Sequence, residues 1–194
     1  MKDFEQIRRQ IEERLAAPSS LRIEPDRVPQ AAVSLILRED QGSAHLLIIK
    51  RAERSGDPWS GHLALPGGRA EPRDADLLAT AARETREEIG INLIDGGRFI
   101  GQLPLIAPTN PLLPKIEITP FVALAPPSLS IQLSNEVEAA FWVSITQLRR
   151  DGLSTELSVR YGDLLIKRSA YRSEGGPIWG ITERIITNFL SLLD

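Results

Sequence analysis

Hydrophobic and polar residues recur along this chain with periods that change from segment to segment, and each period predicts a type of secondary structure. In the first segment, apolar residues recur at helical spacing among Glu and Arg, at Phe4, Ile7, Ile11 and Leu15. This pattern predicts an amphipathic helix over residues 3–16 that docks on the main body. Prolines then predict a linker, at Pro18, Pro25 and Pro29. We therefore expect an N-terminal helix and proline-containing linker over residues 1–30 and the main domain over residues 31–194.

From residue 31 the pattern changes to short β-type runs. Residues 32–37 and 45–50 flank the polar tetrapeptide Glu39-Asp40-Gln41-Gly42, which predicts a β-hairpin. Further strands are predicted at residues 99–106, 116–124, 140–143 and 164–167. Residues 107–111 contain two prolines, Pro108 and Pro111, and predict a loop.

The strongest helical pattern lies in the middle of the chain. One face of it is apolar or small, with Leu77, Leu78, Ala81, Ala82, Thr85 and Ile89. With Asp74 as N-cap and Gly90 as the stop, the pattern predicts a helix over residues 74–89. Shorter helices are predicted near residues 145–150 and over 181–193. Strands and helices in mixed order predict an α+β fold rather than an all-α or all-β protein.

Composition excludes several classes of protein. The chain has 194 residues, of which 42% are hydrophobic and 25% charged, and this balance predicts one compact domain with a sizeable core. Cysteine is absent and there are two histidines, His45 and His62, so disulfides and thiolate metal sites are excluded and oxygen ligands remain. A net charge of −3 without a basic stripe argues against polymeric nucleic acid as a partner.

The same composition predicts a cytoplasmic protein. Residues 1–4 lead into a charged segment and lack the apolar core of a secretion signal. No stretch approaches the ~20 apolar residues that a membrane span needs, so we expect no membrane partner.

Three carboxylates in the central helix carry the candidate chemistry. Glu84, Glu87 and Glu88 stand at positions i, i+3 and i+4. At about 100° per residue, Glu88 lies about 60° and Glu84 about 100° from the middle of the apolar stripe, whereas Glu87 lies about 160° away. Like charges at i and i+4 repel, and Mg²⁺ bound by oxygens would remove that repulsion. A solvated face with Arg83 and Arg86 as counterions is the alternative.

A glycine-rich turn precedes this helix, with the sequence Leu65-Pro66-Gly67-Gly68-Arg69. Two glycines let the backbone turn sharply and approach a ligand closely, so the carbonyl of Gly68 is a candidate metal ligand. A simple turn from strand to loop is the alternative interpretation.

Together these features resemble the Nudix hydrolases. Their signature runs Gly, five residues, Glu, seven residues, then Arg-Glu-U-x-Glu-Glu-x-Gly-U, where U is a bulky apolar residue. Residues 83–91 match its second half, with Thr85 at an apolar position. In the first half Asp74 stands in place of Glu, and one additional residue separates it from Arg83. The resemblance implies a Nudix-type α/β/α sandwich with a mixed β-sheet, and it extends from about residue 31 to the end.

The variant spacing and the segment Leu65-Pro66-Gly67-Gly68 are similar to the coenzyme A pyrophosphatase branch of this family. The branch's upstream Thr, Ser and Arg signature is not intact. Charges at the corresponding place, Lys50, Arg51 and Arg54, are candidates for contacting phosphates, with solvated charges at a strand end as the alternative. We assign Arg51 and Arg69 to nucleotide binding. Trp59 and His62 either stack on a base or pack under the loop.

The resemblance implies a phosphoanhydride hydrolase that uses Mg²⁺, with Mn²⁺ as an alternative ion. We expect Gly68, Glu84, Glu87 and Glu88 to hold the metal and Arg83 to orient a glutamate. The resemblance further implies that the general base comes from the signature or from a later loop. Glu136 and Glu138 are the loop candidates.

Three functions remain open at this point. The first is hydrolysis of the diphosphate in coenzyme A or an acyl-CoA. The second is the same chemistry on ADP-ribose, a dinucleotide or a nucleotide sugar, and the third is a non-catalytic Nudix module that binds nucleotides. In each case the partner is a small nucleotide, and a homodimer is a further expectation.

Overall fold

The computed structural model describes residues 3–19, 21–24, 28–56, 59–109, 115–161 and 164–194. Pro25 of the expected linker and Asn110 and Pro111 of the expected loop lie outside these residues. The described helices are α1 (Phe4–Arg14), α2 (Leu77–Ile89), α3 (Ile145–Asp151) and α4 (Gly180–Ser191). The described strands are β1 (Gln30–Asp40), β2 (Ser43–Arg51), β3 (Leu63–Ala64), β4 (Gly67–Arg69), β5 (Arg98–Gln102), β6 (Glu117–Leu124), β7 (Val137–Ser144), β8 (Ser154–Tyr161), β9 (Leu164–Ser173) and β10 (Gly176–Trp179).

The larger sheet contains parallel and antiparallel strands. Its order is β3-β2-β1-β6-β5, and in addition β4 pairs with β1 and β7 pairs with β2. β1 runs parallel to β6 and antiparallel to β2 and β4. A smaller antiparallel sheet has the order β10-β9-β8. The mixed sheet and the α+β class expected from the sequence are confirmed.

Helices cover both faces of the larger sheet. On one face, Ala81 of α2 packs in a buried cluster with Phe121 of β6. On the other face, Ile11 of α1 and Phe189 of α4 share a core with Leu35 of β1. Successive residues of a strand point to opposite faces, so β1 contributes to both cores. The result is the α/β/α sandwich that the resemblance implied.

The N-terminal helix is tied to the main body by buried apolar residues and by polar contacts. Asp3 caps α1, because its carboxylate accepts a hydrogen bond from the backbone N–H of Gln6 at 2.8 Å. The side chains of Gln10 and Arg14 each donate to the carbonyl of Leu192 at 2.7 Å, beyond the C-terminal end of α4. The helix ends at Arg14, two residues before the predicted end.

Several strands differ from the sequence expectation. The strand predicted over residues 99–106 ends at Gln102, because Pro104 cannot donate to a ladder, and Ile106 forms an isolated bridge with Ile118. The strand predicted over residues 140–143 extends over the whole of β7, because its full length pairs with β2. The predictions missed β3, β4, β8 and β10, and β9 continues to Ser173. Among the described residues, no helix combines the length and apolar content needed to cross a membrane.

Candidate active site

The central helix begins three residues later than predicted. Its N-cap is Asp76, whose carboxylate accepts a hydrogen bond from Ala79 N at 2.7 Å. The assignment of Asp74 as N-cap is wrong, because Asp74 accepts instead from Arg83 Nε at 2.7 Å and Thr80 Oγ1 at 2.9 Å. Gly90 ends the helix in the left-handed conformation, with φ of 74°, as the sequence predicts.

The three carboxylates of α2 differ in exposure as the helical geometry predicts. Glu88 is 4% exposed, the side chain of Glu84 is 17% exposed and that of Glu87 is 48% exposed. Thr85, at the position where the signature has an apolar residue, is fully buried and donates a hydrogen bond to Ser34 Oγ at 3.0 Å. The buried hydroxyl is therefore satisfied, and the departure from the signature is accommodated.

The glycine turn presses directly against two of these carboxylates. Gly67 and Gly68 lie in β4, which pairs with β1. The backbone N–H of Gly67 donates to Glu88 Oε2 at 2.9 Å. A Cβ atom on Gly68 would lie 2.5 Å from Glu84 Cδ, so a larger residue would displace that carboxylate. Glycine is required here because the backbone lies in van der Waals contact with the acid.

Arg83 connects the carboxylates to the preceding loop. Its Nη1 donates to Glu84 Oε1 and to Glu87 Oε2, each at 2.9 Å. Its Nη2 donates to the carbonyl of Arg69 and to Asp74. The guanidinium of Arg83 lowers the pKa of Asp74 to about 2. The sequence analysis missed this role of Asp74, although Asp74 stands where the Nudix signature has its first Glu.

Burial makes ionisation of the inner carboxylates unfavourable. The pKa of Glu88 is raised to about 7, mainly by desolvation and further by the charge of Glu84, against the opposing hydrogen bond from Gly67. Burial also raises the pKa of Glu84, although Arg83 acts in the opposite direction. A cation between the buried Glu88 and the half-buried Glu84 would remove the repulsion between these two acids.

The described residues include no group of three or more His, Cys, Asp or Glu side chains already arranged to hold a metal ion. Arg83 instead bridges Glu84 and Glu87. The donor set nevertheless fits a divalent cation, because it consists of oxygens and the inner acids have raised pKa values. Because Gly68 has no side chain, its backbone lies directly beside the Glu84 carboxylate, which places a main-chain carbonyl near the acid.

A later loop is hydrogen-bonded to the end of α2. Ser134 N donates to the carbonyl of Glu88 at 2.9 Å, and this brings Glu136 close enough to add to the raised pKa of Glu88. Glu136 itself forms an ion pair with Arg54, with 3.0 Å between Oε1 and Nη1. Glu138 pairs with Lys50 at 2.6 Å, beside a β-bulge between β2 and β7.

The residues assigned to nucleotide binding lie at different places around α2. Arg51 is near enough to Glu88 to lower its pKa, in opposition to burial. Arg69 is exposed at the end of β4. The ring of His62 packs against Trp179 with 4.6 Å between centroids, which favours packing over base stacking for this residue. Trp59 is half-buried.

The fold is an α/β/α sandwich, and its carboxylate helix lies beside a glycine turn. Comparison with known proteins identifies the family. The model of the NUDIX domain matches residues 28–172. The chain therefore belongs to the Nudix family, and the enzyme class expected from the sequence, a Nudix pyrophosphohydrolase, is confirmed. Nudix hydrolases act on phosphoanhydride bonds and generally use divalent cations.

Relatives with known sequences support this assignment. The chain is 33% identical over 164 residues to an uncharacterized Nudix hydrolase NudL of Enterobacter sp. (strain 638), covering 81% of this chain and 79% of the relative. It is 37% identical over 120 residues to an uncharacterized protein of Schizosaccharomyces pombe, covering 59% of this chain and 36% of the relative.

A third relative carries a named activity. The chain is 34% identical over 128 residues to the peroxisomal coenzyme A diphosphatase ndx-8 of Caenorhabditis elegans, and the match covers 63% of this chain and about half, 52%, of the relative. Among solved structures, the NUDIX domain of Shewanella oneidensis NrtR complexed with ADP ribose superposes with a TM-score of 0.59 at 14% identity, covering 89% of this chain and 94% of that domain. This likeness shows the shared fold.

Proposed function

We propose that this chain is a Mg²⁺-dependent pyrophosphohydrolase that cleaves the diphosphate of coenzyme A or an acyl-CoA, leaving phosphopantetheine and an adenosine bisphosphate. The observation that carries the proposal is that the half-buried Glu84 and the buried Glu88 lie against the backbone of Gly67 and Gly68. The similarity to a coenzyme A diphosphatase of C. elegans supports this choice of substrate.

In this proposal Glu84, Glu88 and the carbonyl of Gly68 hold the metal, and Glu87 assists them. When bound, Mg²⁺ neutralises phosphoryl oxygens and lowers the pKa of the attacking water. Mn²⁺ has the same preference for oxygen ligands and is the alternative ion. Arg83 keeps Glu84 and Glu87 oriented through charge-assisted hydrogen bonds.

The remaining roles concern the proton and the nucleotide. Glu136 is the proposed general base, because its loop is hydrogen-bonded to the last turn of α2. Arg51 and Arg69 are proposed to contact the nucleotide. The second candidate function is hydrolysis of ADP-ribose, a molecule that the NrtR Nudix domain, which has the same fold, binds.

Substrate assays distinguish these possibilities. Purified protein with Mg²⁺ is offered coenzyme A, ADP-ribose, NADH and nucleoside triphosphates, and the product phosphates are identified. The proposal expects the highest kcat/KM for coenzyme A. A clear preference for ADP-ribose would replace it with the second function, and binding without turnover of any substrate would indicate a non-catalytic module.

Three further expectations stay predictions. The absence of cysteine is consistent with a cytoplasmic location, which cell fractionation tests. The homodimer is tested by sedimentation equilibrium. The division at residue 30 is tested by limited proteolysis.

A further inference from the structure

The ion pair of Arg54 with Glu136 is placed at the rim of the candidate active site. Arg54 Nη1 donates to Glu136 Oε1 at 3.0 Å, and Nη2 lies 3.4 Å from the carbonyl of Asn135. The side chains of Arg54 and Glu136 are 45% and 51% exposed. Water screens such a pair, so an exchange of partners costs little.

The backbones that carry the two side chains are both anchored. Arg54 N donates to Ser60 Oγ at 2.7 Å. Ala52 N donates to the carbonyl of Glu136 at 2.9 Å, which joins the two loops side by side. The guanidinium and the carboxylate can therefore change partners by side-chain rotation alone, while the loops stay in place.

Glu136 belongs electrostatically to the carboxylate site as well as to Arg54. Its loop is bonded to α2 by Ser134 N and the carbonyl of Glu88. A cation beside Glu88 would attract Glu136 for the same reason that Glu136 and Glu88 repel each other.

We propose that Arg54 is a diphosphate-binding residue. Glu136 holds Arg54 in the ligand-free protein and releases it when the cation and a nucleoside diphosphate bind. The inference rests on the proposed function. On loading, Glu136 turns toward the cation carried by Glu84 and Glu88. Arg54 then exchanges carboxylate oxygens for oxygens of a nucleoside diphosphate, whose phosphates match the fork of a guanidinium.

Two binding measurements on Arg54→Gln test this exchange. Titration of the substrate-free protein with Mn²⁺ reports the cation, and calorimetry with ADP in the presence of Mg²⁺ reports the diphosphate. Without its arginine, Glu136 is free for the cation, so Mn²⁺ should bind about 2- to 5-fold more tightly. ADP should bind about tenfold more weakly, because a charge-assisted hydrogen bond is lost.

Two further variants serve as controls. Arg54→Lys keeps the charge but not the fork, so Mn²⁺ affinity should match the wild type while ADP affinity falls part of the way. Arg98→Gln removes the same charge from an exposed pair with Glu12, 2.6 Å apart, at the junction of β5 and α1. Both affinities should be unchanged in that variant.

Opposite changes in the two affinities support the exchange. Weaker binding of both ligands, or no change in either, would overturn it. A wild-type chain that binds Mn²⁺ and ADP but hydrolyses none of the offered substrates would refute the proposed function and leave the exchange standing. A wild-type chain that binds neither probe would overturn both.

Discussion

Substitution of Glu88 by Gln should make the metal-free protein more stable at alkaline pH. Glu88 is 4% exposed and accepts a hydrogen bond from Gly67 N. Glutamine keeps the shape and an acceptor oxygen, but it removes a charge that burial disfavours. An ionisable group at this buried position lowers stability in the absence of metal. The sign of the stability change in Glu88→Gln therefore tests whether Glu88 is a functional carboxylate.

The magnitude follows from the pKa of Glu88, which is about 7 in the folded chain against 4.5 for an ordinary glutamate. Below pH 4.5 the acid is protonated in both states and imposes no penalty. Between 4.5 and 7 the unfolded chain releases its proton first, so the free energy of unfolding of the wild type falls as pH rises. The full difference corresponds to roughly 3 kcal/mol.

Urea denaturation of wild type and Glu88→Gln, with EDTA and at pH values from about 5 to 8, measures this difference. The stability gained by the variant should grow with pH and level off above about 7. Glu87→Gln is the matched control, because the Glu87 side chain is 48% exposed and lies against Arg83. The stability change caused by Glu87→Gln should not increase with pH.

Magnesium should make the wild type more stable than Glu88→Gln, which reverses their order of stability in EDTA. A cation that binds the folded state alone stabilises it, and that gain at alkaline pH should be large for the wild type and small for Glu88→Gln. If Glu88→Gln lowers stability equally at all pH values, the raised pKa is refuted. If Mg²⁺ stabilises both proteins equally, Glu88 is not a metal ligand.

Three further predictions concern other parts of the fold. Asp74→Asn should cost about 2 kcal/mol at neutral pH, because the pKa of Asp74 is about 2 in the folded chain against an ordinary value of 3.8. This contribution is lost as pH falls from 3.8 toward 2, so urea melts from about pH 5 down to about pH 2 should show the gap to wild type narrowing as pH falls, and a constant gap over that range would contradict the pairing with Arg83. Gly68→Ala should lower kcat/KM about tenfold or more, because its Cβ would lie 2.5 Å from Glu84 Cδ and displace that carboxylate. Circular dichroism should show an intact fold, and full activity would mean that the position of Glu84 does not matter for catalysis. Ile11→Ala should cost about 2–4 kcal/mol in denaturation experiments, since Ile11 is fully buried between α1 and the sheet; a cost near zero would mean that α1 is detached in solution.

The local patterns of the chain predicted much of the carboxylate helix. The 3.6-residue period ranked Glu88, Glu84 and Glu87 by burial correctly, and Gly90 marked the helix end. The start was predicted wrongly because the segment offers two aspartates, Asp74 and Asp76, and local preference accepts either as a cap.

The strands were predicted less completely. Leu157 and Val159 alternate with polar residues in β8, and that signal was available in the sequence. By contrast, the four residues of β10 include Pro177, and they form a strand because β9 lies beside them. Pairing across a sheet is a contact between distant segments, so composition alone does not specify it.

The sequence by itself determined which side chains share a helix face, where glycine is needed and which family the chain belongs to. The tertiary structure decided which partner each charged group meets. It placed Asp74 against Arg83, Glu136 against Arg54 and Gly67 against Glu88. These choices depend on loops that are distant in the chain and adjacent in space, and ionic and hydrogen-bond energies depend on distance and burial rather than on sequence separation.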